Sequence, residues 1–246
     1  MAYPTYISYK SDYDSSSTTT HTITWPSGVT NGNLLYGMFT CKQVGGENLV
    51  ISSHSSNIYH SFNNYDLGDG SGYVHAMTFW GIAAATNTFV ITSVGSVVGR
   101  WIVYEFADHN IEYGSSSGFY GLVGEWYWNA AGTHFDMPIC PVPAYYGAHD
   151  YTWLAFVCYD SIGSFTCPTL FGNQINNLAA SSSEASVAVA RYDYNTEQLD
   201  PGNWDTGVAS NMIYFAHTVR IPPGIYPEDT PSGFGFIVPS SNVDLP

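Results

Sequence analysis

Residues 22–41 read TITWPSGVTNGNLLYGMFTC. At the start of this stretch isoleucine and tryptophan alternate with threonine, which is the period of two expected of a half-buried β-strand. Pro26-Ser27-Gly28 then ends the strand, because proline lacks a backbone donor and glycine permits a positive φ. From Leu34 to Cys41 both faces are apolar, which predicts a central strand covered on both sides. We expect the two strands to form a hairpin.

Further strand candidates follow at short spacing. They are residues 5–10, 49–51, 58–62, 73–85, 88–94, 100–106, 151–160, 165–171, 185–194 and 211–219. Three of them, within 73–106, have connections short enough for an antiparallel meander. About ten short strands without helix-capping signals predict an all-β domain over residues 1–220: an antiparallel, jelly-roll-like β-sandwich.

Residues 107–150 interrupt this pattern. They are rich in Gly, Ser, Trp, Tyr and Pro, and they predict a long irregular insert. Loops of this length are usually functional or interfacial. Aromatic side chains here would either bury a subunit interface or stack on sugar rings. The candidates are Phe119, Tyr120, Trp126, Tyr127 and Trp128.

The last segment, 221–246, has six prolines among Gly, Ser and Asp. This composition predicts an extended, polyproline-like arm without a core of its own. Candidate residues for contact with a neighbouring subunit are Pro222, Pro223, Phe234 and Phe236.

Charge restricts the partners. Five basic residues stand against 20 acidic ones, for a net charge of −15. Nucleic-acid binding needs a basic surface, and anionic membranes repel an acidic one, so we expect neither partner. The amino terminus lacks the basic and apolar regions of a signal peptide, and no apolar run is long enough for a membrane helix. We therefore expect synthesis in a cytoplasm without export.

The four cysteines form no CxxC pair and have no zinc spacing. Cys41 and Cys158 lie in apolar strands, as small buried side chains do. A Cys140–Cys167 or a Cys158–Cys167 disulfide is compatible with the spacing, which selects neither.

Two local patterns have a chemical interpretation and a simpler structural one. Residues 114–118, Gly-Ser-Ser-Ser-Gly, match the nucleophile-elbow pattern, but the elbow needs a hydrophobic strand before it and a helix after it. Asp66, Asp69 and Ser71 could supply oxygen ligands to calcium, although the EF-hand spacing is absent and an Asp/Gly turn explains them as well. We favour a flexible loop and a turn.

Four carboxylates lie near the aromatic insert: Glu105, Asp108, Glu112 and Glu125. A glycosidase needs two carboxylates that flank a sugar, and the sequence does not give their separation. The eight histidines are scattered without a metal-ligand spacing, and His75 and His217 lie in strands. We expect no catalytic residue, no cofactor and no metal site.

Residues 26–35, Pro-Ser-Gly-Val-Thr-Asn-Gly-Asn-Leu-Leu, resemble the first hairpin of a family found in tailed-phage virion proteins and related bacterial sequences. That hairpin reads roughly Pro-x-Gly-Val-x-x-Gly-Asp-Leu-Leu, and Asn33 here replaces its Asp. The resemblance implies a β-sandwich with a structural or adhesive role in a virion, and it implies no catalytic residue.

The sequence therefore leads to two functional expectations. The first is a non-enzymatic virion protein, a capsid decoration or tail-associated subunit that forms homo-oligomers and contacts major capsid or tail proteins. The alternative is a carbohydrate-binding or adhesion module, lectin-like or part of a tail fibre, which binds a host glycan. In the first the arm and the insert supply the subunit contacts, and in the second the aromatic insert supplies the sugar platform.

Overall fold

The computed structural model describes residues 3–43, 49–61, 67–68, 73–109, 123–139, 149–160, 162–196 and 198–223. Within these residues the chain is all-β, with fourteen strands and no helix. Accordingly, no helix in this part of the chain has the length and apolar character needed to cross a bilayer. The all-β prediction is confirmed.

In chain order, the strands have the following bounds. They are β1 (Thr5–Tyr13), β2 (Thr18–Thr22), β3 (Leu34–Gln43), β4 (Val50–His54), β5 (Ile58–Ser61), β6 (Leu67–Gly68), β7 (Tyr73–Ile82), β8 (Phe89–Val97), β9 (Arg100–Ala107), β10 (Val123–Asp136), β11 (His149–Tyr159), β12 (Gly172–Asn177), β13 (Ser186–Thr196) and β14 (Asn203–Ile221).

The strands form three antiparallel sheets. Sheet I has the order β1-β9-β3-β7-β5, with β6 also paired to β7. Sheet II has the order β10-β14-β11-β13-β12, and sheet III the order β2-β8-β4. The central position of β3 was predicted, and each of its residues is buried because neighbouring strands flank it and other sheets cover both of its faces.

Sheets I and II pack face to face as a β-sandwich. Alternate side chains of β3, β7 and β9, such as Tyr36 and Tyr104, meet alternate side chains of β11, β13 and β14, such as Phe156, in one buried cluster. The opposite face of sheet I packs against sheet III through a second cluster that includes Phe39, Phe79 and Ile91. Sheet I is therefore the middle layer.

The outer face of sheet II is covered by connecting segments rather than by a fourth sheet. Phe165, Phe171 and Leu199 lie in these segments and pack against β11 residues such as Trp153 and Tyr159. Together with the first cluster, this third cluster buries β11 on both faces, which agrees with the almost continuous apolar sequence of the strand.

The hairpin predicted at residues 22–41 is wrong. β2 belongs to sheet III and β3 to sheet I, so the segment between them passes from one layer to the other. Its two turn glycines are as expected, since Gly28 and Gly32 have φ of 71° and 92°. The turns at the two glycines are therefore as predicted, whereas the two strands that flank them do not pair with each other.

The meander predicted within 73–106 is also wrong. β7 and β9 both belong to sheet I, but each pairs with β3 and neither pairs with the other. β8, which lies between them in sequence, belongs to sheet III. Short connections permit a meander, but they also permit a chain that crosses between stacked sheets.

The segment predicted as an irregular insert contains a long strand. β10, Val123–Asp136, pairs with β14 along its length and forms an edge of sheet II. The glycines and tryptophans in this segment interrupt the alternation of apolar and polar residues, so the sequence pattern did not predict the strand. Of the arm predicted over 221–246, only Ile221, Pro222 and Pro223 lie within the described residues. All three are buried, and Pro223 pairs with His109 in an isolated bridge.

Candidate functional site

The aromatic residues proposed as a contact surface fall into two groups. Phe119 and Tyr120 lie outside the described residues. Trp126, Tyr127 and Trp128 lie on β10, in register with Ala216, Phe215 and Tyr214 of β14. These three residues therefore belong to an edge strand of sheet II, not to a free loop.

Of the four candidate carboxylates, Glu105 has a structural role. It is fully buried and accepts hydrogen bonds from the backbone of Thr30, the side chain of Asn33 and the hydroxyl of Ser8. Asp108 is exposed and accepts a hydrogen bond from the Thr5 hydroxyl at 2.7 Å. Glu112 lies outside the described residues, and Glu125 lies on β10.

The other chemical candidates are not brought together as a site. Asp66, Asp69, Ser71, residues 114–118, Phe234 and Phe236 lie outside the described residues. In the part of the chain that the structure describes, no group of three or more His, Cys, Asp or Glu side chains could hold a metal ion. Cys158 and Cys167 carry free thiols, so the Cys158–Cys167 disulfide is not formed, and Cys140 lies outside the described residues.

A Ser-His-Asp arrangement that the sequence pattern did not indicate connects β2 and β8. His21 Nδ1 lies 2.6 Å from Asp14 Oδ2, and His21 Nε2 lies 3.0 Å from Ser93 Oγ. Ser93 Oγ also donates to the carbonyl of Gly95 at 2.7 Å. Because His21 is fully buried and Ser93 nearly so, the hydroxyl is not accessible to a substrate, and the arrangement fastens sheet III to the β1–β2 turn.

An open cleft lies where the edges of sheets I and II meet. Its volume is about 240 Å³, and we call it the tyrosine cleft. It lies beside the edge strands β1 and β12. Its lining residues are Tyr6, Tyr9, Tyr104, Asn173, Gln174, Ile175 and Arg191.

A β-bulge in β1 places two tyrosines on the same face. Tyr6 is in register with Phe106 and Tyr9 with Tyr104, and the register shifts between Tyr6 and Ser8. In a regular strand, residues three apart point to opposite faces, and one extra residue corrects this. The bulge therefore turns both tyrosines toward sheet II.

The three tyrosines form a continuous aromatic surface. The ring centroid of Tyr104 lies 6.1 Å from that of Tyr6 and also 6.1 Å from that of Tyr9. Tyr6 and Tyr9 are 37% and 46% exposed, whereas Tyr104 is 2% exposed. Stacking on Phe106 at 5.8 Å holds the Tyr104 ring in place. A ligand would thus meet two accessible rings above a fixed one.

The hydroxyl of Tyr104 has no hydrogen-bond partner among the described residues. Burial raises the pKa of Tyr104, so the group is a neutral phenol at physiological pH. A buried hydroxyl without a partner costs about 1–3 kcal/mol. The oxygen is closed to solvent, so a bound ligand could supply the missing partner only if the accessible rings of Tyr6 and Tyr9 shift.

The β12 side of the cleft is irregular. The register of β12 against β13 shifts between Gly172 and Ile175, and Asn173 has a φ of 50°, in the left-handed region. Backbone conformations of this kind cost energy and are concentrated at functional sites. Gln174 is fixed by bonds to the backbone of Cys167 and Phe165, so Asn173 presents the more available amide.

Arg191 supplies the cation of the cleft. Its Cζ lies 4.3 Å from the centroid of the Tyr6 ring, a cation–π distance. The pKa of the Tyr6 phenol is raised, chiefly by burial, although the Arg191 charge acts to lower it. The Tyr6 phenol is therefore neutral at neutral pH.

The chain matches no protein-family model, no curated protein and no solved structure. The chemistry of the cleft therefore rests on its own geometry. Aromatic faces, an amide and a guanidinium can stack on a ring and donate hydrogen bonds. The lining residues include no carboxylate, histidine or serine.

Proposed function

We propose that the chain is a non-enzymatic carbohydrate-binding adhesion module of a tailed-phage virion, with the tyrosine cleft as its glycan site. The observation that carries the proposal is the pair of accessible rings, Tyr6 and Tyr9, which lie against the fixed Tyr104 ring beside the Arg191 guanidinium. A sugar ring has apolar C–H faces and a rim of hydroxyls. It can stack on Tyr6 and Tyr9, and one of its hydroxyls can pair with Tyr104 if these two accessible rings shift.

The dimensions of the cleft support a ligand that extends beyond it. Its volume of about 240 Å³ is below the roughly 300–1,000 Å³ typical of pockets that enclose a drug-sized molecule. A single ring of an oligosaccharide suits such a space, with the neighbouring sugars outside. The location at the sandwich edge leaves room for a polymer.

The virion part of the proposal rests on the resemblance of residues 26–35 to the phage family. In this chain those residues connect sheet III to sheet I, and Glu105 fixes them. A jelly-roll-like organisation is part of the same proposal, since jelly rolls recur in viral proteins and lectins. The expected location is a virion assembled in the host cytoplasm.

The test is glycan-array binding of Tyr9→Ala, with Tyr13→Ala as the matched control. Tyr13 is on the same strand and is 52% exposed, but it is not part of the cleft lining. We expect Tyr9→Ala to weaken binding at least about tenfold, equivalent to about 1.4 kcal/mol, and Tyr13→Ala to leave it unchanged. Equal binding by both variants, or no binding by the unsubstituted chain, contradicts the proposal.

A second candidate is a purely structural subunit, a capsid decoration or tail-associated protein that acts through contacts with itself and with major capsid or tail proteins. The observation that favours it is the composition of β1, an edge strand of sheet I that exposes Ile7 and Tyr13. Exposed apolar side chains on an edge strand suit association with another chain.

This second candidate is tested by oligomeric state. Because Ile221, Pro222 and Pro223 are buried in the body, an arm deletion has to begin at residue 224. We expect deletion of 224–246 to leave the body folded and to reduce the oligomer measured by light scattering. The variant Ile7→Lys tests the contribution of the β1 edge to the oligomer in the same light-scattering measurement. An unchanged oligomer in both variants contradicts an assembly role for the arm and for β1.

A further inference from the structure

Arg191 differs from the other four basic residues of the chain in the contacts that its side chain makes. Arg220 is buried and lies over Tyr151, with its Cζ 4.6 Å from the ring centroid. The remaining three form ion pairs: Lys10 with Asp12 at 3.2 Å, Lys42 with Asp160 at 3.5 Å, and Arg100 with Glu184.

Arg191 has no acidic partner within ion-pair distance in the described part of the chain. The chain has 20 acidic residues, so an arginine without one is unexpected. The acid nearest to it along the same face of β13 is Asp193, whose Oδ1 accepts a hydrogen bond from the Thr152 hydroxyl at 2.7 Å. The charge of Arg191, which lines the tyrosine cleft, is therefore not neutralised by a carboxylate of the described residues.

The stacking of Arg191 also leaves its donors available. A cation–π contact does not use the N–H groups of a guanidinium, which can still pair with the two oxygens of a carboxylate. Tyr6 supplies that ring at 4.3 Å. The accessible Tyr9 ring and the buried Tyr104 hydroxyl lie beside it in the same cleft.

We infer that the tyrosine cleft selects a sugar that carries a carboxylate, such as a uronic or sialic acid, over its neutral counterpart. The inference rests on the proposed glycan-binding function and names the class of ligand. Arg191 would pair with the carboxylate, while Tyr6 and Tyr9 stack on the sugar. The net charge of −15 repels anions at long range, so a specific cation is what an acidic ligand requires here.

The experiment compares acidic glycans with neutral ones of the same size by isothermal titration. The probes are oligogalacturonate and sialyllactose, each with its own carboxyl-reduced form. The buffer contains about 0.15 M salt, where the Debye length of about 8 Å screens the long-range repulsion but not a direct contact. We expect at least one acidic probe to bind about tenfold or more tightly than its neutral partner.

Two variants connect this preference to Arg191. Arg191→Gln should remove the preference, because it should lower the affinity for the acidic probe about tenfold more than the affinity for the neutral probe. Arg191→Lys should retain part of the preference, because a point charge cannot form the paired bonds. Thermal melting of each variant establishes that the fold is intact, and Arg191→Lys serves if Arg191→Gln does not fold.

The outcomes separate the inference from the proposed function. Equal affinity for acidic and neutral probes overturns the inference and leaves glycan binding in place. An acidic preference that survives in Arg191→Gln overturns the assignment to Arg191. Failure of every probe to bind overturns both.

Discussion

Asn33 donates its side-chain amide to Oε1 of Glu105 at 2.7 Å. The same oxygen accepts the backbone N–H of Thr30 at 2.9 Å, and the other carboxylate oxygen accepts the Ser8 hydroxyl at 2.9 Å. One buried carboxylate thus joins the sheet III–sheet I connection to β9 and β1. The residues that carry the phage resemblance are held in place by a side chain far from them in sequence.

Glu105→Ala should destabilise the protein by about 3–5 kcal/mol, because it leaves buried donors without an acceptor and removes charge-assisted bonds. Glu105→Gln keeps one carbonyl oxygen for Thr30 and Asn33 and should cost less, about 1–2 kcal/mol. Urea unfolding measures both. Equal effects of the two variants would mean that the carboxylate itself matters, and neither the volume nor the one acceptor oxygen that glutamine retains.

Asn33→Asp should also destabilise the protein at neutral pH, by about 1–3 kcal/mol. This change restores the residue type found in the phage pattern, but here it places a second carboxylate beside Glu105. The double variant Asn33→Asp with Glu105→Gln should recover most of the loss, since the new glutamine amide can donate to the introduced carboxylate. Additive effects in this double-mutant cycle would show that the two side chains do not interact.

The hydrogen bonds of Glu184 make part of the stability dependent on pH. Burial alone would raise the pKa of Glu184, but the hydrogen bond and charge of Arg100 and the backbone N–H of Ala180 hold that pKa below its ordinary value of 4.5. Arg100 also donates to Asn177, so this cluster joins sheet I to sheet II and its neighbouring segment.

A pKa that is lowered by folding stabilises the protein above the unfolded value, and this contribution is lost as the pH falls through the folded value. Glu184→Gln should therefore reduce the free energy of unfolding by about 2 kcal/mol at pH 7, where the carboxylate is charged in both states. At a second pH, well below 4.5, the difference between the two proteins should shrink as the pH falls through the lowered folded value. A difference that is the same at both pH values, measured by urea unfolding, would exclude this role of the ion pair.

The sequence predicts what depends on local pattern and misses what depends on pairing. β3 was predicted as a central strand because a strand that is apolar on both faces needs cover on both. Its partners β7 and β9 are set by contacts between distant residues, and no local signal distinguishes a hairpin from a connection between layers. The strand β10 was missed because Gly124, Gly132 and adjacent tryptophans break the alternation.

The tyrosine cleft was not predictable for a related reason. Tyr6 and Tyr9 are three residues apart, so a regular strand would point them in opposite directions. The bulge beside Ile7 places both tyrosines on the same face of β1. Arg191, which contacts Tyr6, lies on β13 in sheet II. Tyrosines suit binding, but their presence in a strand does not locate a site when the chain has 20 of them.

Gly81 should not tolerate a side chain. A Cβ at this position would lie 2.3 Å from the backbone oxygen of Asn57 and 3.0 Å from the Cα of Ile58, and backbone atoms cannot rotate away. Gly81→Ala should cost about 1–3 kcal/mol through overpacking. Gly95→Ala is the control, because nothing lies within 4 Å of its Cβ, and its effect should stay within about 0.5 kcal/mol. Similar melting temperatures for the two variants would contradict the packing at β5 and β7.

Tyr104→Phe separates binding from folding. The phenol oxygen is buried without a partner in the described part of the chain, so its removal should leave the free energy of unfolding unchanged or raise it by up to about 1 kcal/mol. The ring and its stacking on Phe106 are kept. Glycan affinity, by contrast, should fall about three- to tenfold, since a ligand hydroxyl loses its partner.

The same protein sample should be used for urea unfolding and for titration with the tightest glycan probe. Tyr36→Phe is a suitable comparison, because Tyr36 is similarly buried in the same core cluster but is not part of the cleft lining. It should leave glycan affinity unchanged whatever it does to stability. A loss of stability in Tyr104→Phe without a loss of affinity would mean that the hydroxyl stabilises the fold. It would contradict the proposed hydrogen bond between Tyr104 and a glycan hydroxyl.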